Sequence, residues 1–174
     1  MFFYCIIVRM GVDFYCDKQE FSCSYERWDI IRITILNATF NYIKDEINNI
    51  GATLNNNDIY NYYVYKLKDL IKLNEDYKNN TEIGELSVNY FISSIDDVEQ
   101  FIYFNILGIY VLCNKSDSDG YYSPGNSLDI ICLLDLIKQY LINSEVYSCI
   151  YVNENSVYNL FNESLQKKIN VVIS

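Results

Sequence analysis

Residues 24–51 read SYERWDIIRITILNATFNYIKDEINNIG. Within them Trp28, Ile31, Ile35, Leu36, Thr39, Phe40, Ile43 and Ile47 recur at intervals of three and four, the period that gathers side chains on one face of an α-helix. Ser24 stands where a hydroxyl can accept a hydrogen bond from a first-turn amide. Glu26 sets a negative charge against the positive end of the helix dipole, and Ile50-Gly51 supplies a stop. The stretch predicts a long amphipathic helix with Trp28 in the core. A helix with one oily face needs a second layer to bury it, and the flanking sequence has to supply that layer.

Upstream, Phe2 to Val8 and Val12 to Cys16 are β-branched and aromatic runs separated by Met10-Gly11, which predicts one or two strands. Downstream, Asn57 can cap a second helix whose inner face is Ile59, Tyr63, Leu67, Leu70 and Ile71, with Lys66, Lys68, Asp69 and Lys72 outward. The polar stretch Asn74 to Glu82 reads as a loop and Leu86 to Ile92 as a strand. Ser94 and Asp97 have capping-box spacing before Val98 to Leu112, which is apolar almost all round: a buried helix, or a helix that breaks at Gly108 into a strand. After a polar loop from Asn114 to Asn126, Ser127 can cap a helix built on Ile130, Leu133, Leu134, Ile137 and Leu141. Tyr147 to Val152 reads as a strand, Glu154 to Lys168 as a helix, and Val171 to Ile173 as a final edge strand. This order predicts an α+β chain, a small β-sheet covered by a layer of about five helices. Residues 1–174 form one domain, with 1–9 an N-terminal extension if Met10 is the start.

A length of 174 residues, 51% of them hydrophobic, is enough to bury a sizeable core. The formal net charge of −10 works against nucleic acid and anionic membranes, whose phosphates call for a basic stripe. No apolar run approaches the roughly 18 residues of a membrane span. Three of the six cysteines (Cys5, Cys113 and Cys132) sit inside apolar runs, where a thiol behaves as a small core hydrophobe. Reduced thiols and a cytoplasmic setting follow as expectations.

Histidine is absent, which removes Ser-His-Asp and Cys-His catalysis and histidine-ligated zinc. There is also no Cys-x-x-Cys pair to begin a thiolate zinc site. No catalytic residue or cofactor is assigned. Gly120, Gly125, Asn126 and Ser127 match the Gly-x4-Gly-x-Ser frame of a phosphate-binding loop, but Asn126 stands where the phosphate-reaching lysine belongs. The bland reading is a surface turn leading into a helix. Asp117 and Asp119 just upstream resemble part of a calcium loop. With Gly120 at its sixth position, however, the first and twelfth fall on Lys115 and Asn126, so a solvated acidic loop competes with metal contact.

Tyrosines cluster at Tyr60, Tyr62, Tyr63 and Tyr65 and again at Tyr121-Tyr122. Four on one helical stretch cannot all face inward, and exposed tyrosines serve as interface anchors, although a chain with 18 tyrosines places some on its surface in any case. Asp13, Cys16, Asp17, Cys23, Arg27 and Trp28 gather at a strand-to-helix junction, with Arg27 and Asp17 available as a surface pair. The leading expectation is a non-enzymatic interaction or structural protein that binds a protein partner or itself. The alternative is a small enzyme or nucleotide-binding domain using carboxylates, a cysteine or the Gly120–Ser127 loop.

Met10-Gly11-Val12-Asp13-Phe14-Tyr15-Cys16, followed by Phe21-Ser22-Cys23-Ser24-Tyr25 and Trp28, resembles the opening of uncharacterised proteins from large DNA viruses of amoebae (mimivirus-like). The resemblance covers about twenty residues and implies no activity. It implies host cytoplasm or the virion as the setting, and Met10 as the start.

Overall fold

The structure, a computed structural model, describes residues 11–50, 58–80, 95, 98–114 and 120–174, with backbone alone for Ile50, 58–60 and 73–80. The predicted strands at 2–8 and 86–92, and the capping spacing at Ser94 and Asp97, lie outside the described residues.

The chain turns from β1 (Gly11–Cys16) directly into β2 (Gln19–Ser24), with Asp17 at φ 49° in the tight turn, so the junction is an antiparallel hairpin. Ser24 then caps α1 (Tyr25–Ile50), its Oγ accepting from the Arg27 amide at 3.1 Å, as the sequence predicts. α2 (Asp58–Asn80) runs past the expected stop at Asn74. That segment is polar but contains neither glycine nor proline, and polarity alone does not end a helix. The inner face of α2 is Val64, Leu67, Leu70 and Ile71, with Tyr63 half-buried beside it.

The apolar run from Val98 breaks earlier than Gly108. α3 (Glu99–Tyr103) ends at Phe104 and Asn105, the latter at φ 56°, and α4 (Leu107–Cys113) follows. Gly108 sits inside α4 because α5 crosses it closely: a β-carbon there would lie 2.8 Å from the Asp129 carbonyl carbon and 2.9 Å from the Ile130 Cα. The long polar loop contains β3 (Gly120–Tyr122) and leads into α5 (Pro124–Leu141). The cap of α5 is Ser123, not Ser127. Ser123 Oγ accepts from the Asn126 amide at 3.2 Å, Asn126 Oδ1 accepts from the Ser123 amide at 3.1 Å, and Pro124 occupies the first helical position.

The predicted strand at 147–152 is a π-helical turn, Ser148–Val152. Val146 and Ile150 are buried while Ser148 between them is exposed, a helical pattern that no alternating strand would give and that outweighs the β-branched composition. α6 (Val157–Lys167) is capped by Ser156, which accepts from the Asn159 amide at 3.2 Å, and ends at Lys168 with φ 56°. β4 (Val171–Ile173) is not an edge strand. The sheet order is β2-β1-β4-β3, all neighbours antiparallel, with β4 between β1 and β3.

The fold is therefore α+β: a four-stranded antiparallel sheet with six α-helices and one π-turn among the described residues. Val12, Phe14, Cys16, Phe21, Tyr122, Val171 and Ile173 point into the core, where Trp28 of α1 meets Phe14 at a ring separation of 4.7 Å. The buried Arg32 guanidinium lies 5.7 Å from the Trp28 ring and pairs with Asp29. Between α5 and α6, the buried hydroxyls of Ser127 and Ser164 are 2.8 Å apart.

Candidate functional site

The helices cover one face of the sheet, and the other face holds the candidate site. Strand side chains alternate, so burying Phe14, Tyr122, Val171 and Ile173 forces Tyr15, Tyr121 and Val172 outward. The register then aligns them. Tyr15 sits opposite Glu20 of β2 and Val172 of β4, and Val172 sits opposite Tyr121 of β3. One row, Glu20–Tyr15–Val172–Tyr121, thus crosses all four strands, with Tyr15 40%, Val172 49% and Tyr121 55% exposed. Adjacent strands lie about 4.8 Å apart, so the row spans roughly 15 Å of amphipathic surface. Asp13, Glu20 and Ser22 point to the same side.

The sequence singled out Tyr121 and Tyr122 together. The structure separates them, since Tyr122 is a core residue packed edge-on against Phe161 at 5.2 Å. Tyr62 and Tyr65 on α2 are 51% and 64% exposed, with Lys66 Nζ 5.8 Å from the Tyr62 ring. Tyr63 is tied down by its hydroxyl bond to Glu99 Oε2 at 2.9 Å. The Tyr60 side chain lies outside the described residues.

The Gly120–Ser127 frame is divided between two elements. Gly120 belongs to β3, whereas Gly125, Asn126 and Ser127 form the first turn of α5. The Asn126 amide is taken by Ser123 Oγ, and Ser127 is buried with its amide bonded to Ser123 O. Those donors serve the helix cap and do not converge on an open point. Asp117 and Asp119 lie outside the described residues. Among the described residues no three carboxylates or thiols gather to hold a metal ion.

A cleft of about 530 Å³ opens beside β2, lined by Phe21, Cys23, Arg27, Cys149, Asn153 and Asn155 among others. Arg27 does not pair with Asp17. Its Nη1 bonds Glu145 Oε1 at 3.2 Å, its Nη2 bonds Glu145 O at 3.1 Å, and Nη2 also reaches Cys149 Sγ at 3.8 Å. Asp17 instead meets Lys167, which also holds Glu163. Burial, and secondarily the neighbouring Cys149, push the Cys23 thiol up to about 11.

No protein-family model, curated protein or solved structure matches this chain.

Sequence reasoning named Tyr121 of the outer row and Cys23 and Arg27 of the cleft, but missed Tyr15, Val172 and Cys149 for one reason. Tyr15 and Val172 are 157 positions apart, Cys23 and Cys149 are 126 apart, and only strand pairing or helix docking brings either pair together. The five described cysteines are free thiols. Cys16 and Cys113 are buried, but Cys132 is exposed on α5, contrary to the expectation of a core thiol. Its neighbours Ile131 and Leu133 fill the core instead. Tyr147, Tyr151 and Tyr158 form a further stack, with ring separations of 5.1 and 5.7 Å. Tyr151 donates to Leu134 O at 2.6 Å, and burial holds its hydroxyl above the ordinary phenol range, so the stack is structural. Lys44, Lys68 and Lys72 share a shallow depression of about 200 Å³ between α1 and α2. No described helix is long and apolar enough to cross a membrane.

Proposed function

We propose that this chain is a non-enzymatic protein-interaction module that binds a protein partner through the outer face of its sheet. The observation that carries the reading is the register-aligned row of Tyr15, Val172 and Tyr121, exposed on a sheet whose other face is fully used. Tyrosine offers large contact area at low entropic cost, and such anchors concentrate binding energy in few residues. The setting of the row defines the partner. Asp13 and Glu20 flank it in a chain of net charge −10, so the complementary surface carries arginine or lysine able to stack on the rings and meet the carboxylates.

Nucleic acid is not the proposed partner. Three lysines around a shallow depression are few beside the six to ten or so phosphate contacts of a typical duplex binder. Free thiols at five of the six cysteines support a reducing, cytoplasmic setting, which is host cytoplasm or virion if the viral resemblance holds.

The test compares capture by the native chain with capture by a Tyr15→Ser/Tyr121→Ser/Val172→Thr variant. A specific partner is lost with the variant and weakens as salt rises. A partner retained equally by both would remove the outer face from consideration, and light scattering on the isolated chain reports self-association separately.

A further inference from the structure

The cleft beside β2 brings together two thiols and a guanidinium from three elements: Cys23 of β2, Cys149 of the π-turn and Arg27 of α1. We propose that Cys149 and Cys23 form a hydroperoxide-responsive dithiol in which Cys149 is oxidised first, with Arg27 as its positioning residue, and Cys23 resolves it to a disulfide.

The geometry distinguishes these two thiols from the other described ones. Cys16 and Cys113 are buried, and Cys132, though exposed, lines a separate depression with Ile102, Asn105, Leu107, Leu128 and Asp129, none of them cationic. Cys149 is bonded to a cation, through Arg27 Nη2 at 3.8 Å. Two bonds from Arg27 to Glu145 hold the guanidinium in place, so its donor is aimed at the sulfur before any oxidant arrives. A fixed cation and N–H donor stabilise the negative charge on an attacking sulfur and on a departing oxygen. The single π-turn carrying Cys149 is a wider, rarer form of helix that often marks functional positions. Cys23, held as a thiol by its burial, is a poor first nucleophile, which leaves it the second step.

The chemistry balances with a hydroperoxide as the oxidant. The Cys149 sulfur attacks the terminal peroxide oxygen and the O–O bond breaks. Hydroxide (or alkoxide) leaves and takes up the thiol proton, giving a sulfenic acid and one water or alcohol. The Cys23 sulfur then displaces the sulfenic oxygen. An S–S bond forms, the S–O bond breaks, and the oxygen leaves as water with the Cys23 proton. Two thiols lose two electrons to one peroxide, and two equivalents of a small-molecule thiol return them by exchange, becoming a disulfide themselves.

The experiment treats the reduced full-length chain with hydrogen peroxide and maps cysteine-containing peptides without reduction. A Cys23–Cys149 linked peptide is expected, removed by dithiothreitol. In Cys23→Ser, Cys149 is expected to be trapped as a dimedone adduct. The decisive readout is the ratio of the Cys149 to the Cys132 oxidation rate, which should fall about tenfold in Arg27→Gln, the loss of one charged hydrogen bond. Because Cys132 is measured in the same molecule, general misfolding does not mimic that result. Cys149 passing to sulfinic acid with no linked peptide, or a ratio unchanged in Arg27→Gln, would overturn the proposal.

Discussion

Tyr121 and Tyr122 are neighbours in the chain and in the same strand, yet one is 55% exposed and the other 1%. The pleat sends them to opposite faces of the sheet, and each face sets a different rule. On the inner face Tyr122 meets Phe161 and Phe14, Phe14 meets Trp28 and Phe21, and Phe21 meets Trp28, so the rings form one connected aromatic cluster. On the outer face Tyr121 has Val172 beside it in register, then Tyr15, then Glu20, with solvent above. The contrast shows that a residue type so abundant here carries no meaning by itself. Inside, tyrosine is volume. Outside, it is partly exposed surface set in register by the strand pairing.

The contrast is broken most forcefully from within. Trp28→Ala or Tyr122→Ala should each cost about 3–5 kcal/mol, because the cavity left among Phe14, Phe21 and Phe161 cannot collapse. Urea unfolding measures this directly, with the midpoint falling and the slope unchanged. A smaller loss, about 1 kcal/mol, is expected for Ser127→Ala in the buried hydroxyl contact between α5 and α6. The loss stays modest because Ser164 still donates to Ile169 O at 2.6 Å. The outer face should respond in the opposite way. Tyr121→Ser and Tyr15→Ser should leave stability within about 0.5 kcal/mol, while partner capture falls about tenfold or more if these are anchors. A Tyr121→Ser variant that unfolds as readily as Tyr122→Ala would mean the two faces are not distinct.

How much of this was legible in the sequence depended on the range of the interaction that decided it. Helix α1, its Ser24 cap and the burial of Trp28 are local consequences of spacing and were legible. The break at Asn105 was not, because a run apolar all round offers no period to interrupt. Residues 147–152 misled for a related reason: Val, Ile and Tyr favour strands as a class, but tertiary contacts bury Val146 and Ile150 and leave Ser148 between them exposed. β4 read as an edge because only three residues mark it, and its interior place depends on pairing with β1 some 157 positions away. The candidate site was half legible. Tyr121 was named, but Tyr15 and Val172 join it only through that same pairing.

The smallest expected effect lies at the turn of the β1–β2 hairpin, where Lys167 at the end of α6 meets Asp17 and bonds Glu163 at 2.6 Å. The lysine's hydrogen bond and charge hold Asp17 below the ordinary carboxylate range, while Asp17 and Glu163 hold Lys167 above the ordinary lysine range. A carboxylate with a depressed folded value stabilises the fold above its unfolded value, near 4, and loses that contribution as pH falls through the folded value. Lys167→Met should therefore be less stable than the native chain at pH 7. The difference should narrow as pH falls below about 4, where Asp17 takes up its proton in both proteins. At the alkaline end the raised lysine contributes below its unfolded value, and the difference should narrow again as pH rises through its higher folded value. Lys167 and Asp17 are open to solvent, though Glu163 is partly covered, so the effect should also shrink with salt, which no inner-face substitution should do. Urea midpoints of the two proteins at pH 3 and pH 7, at low and high salt, make the measurement. A gap constant across pH would show that Lys167 acts by packing its aliphatic stem and not by charge.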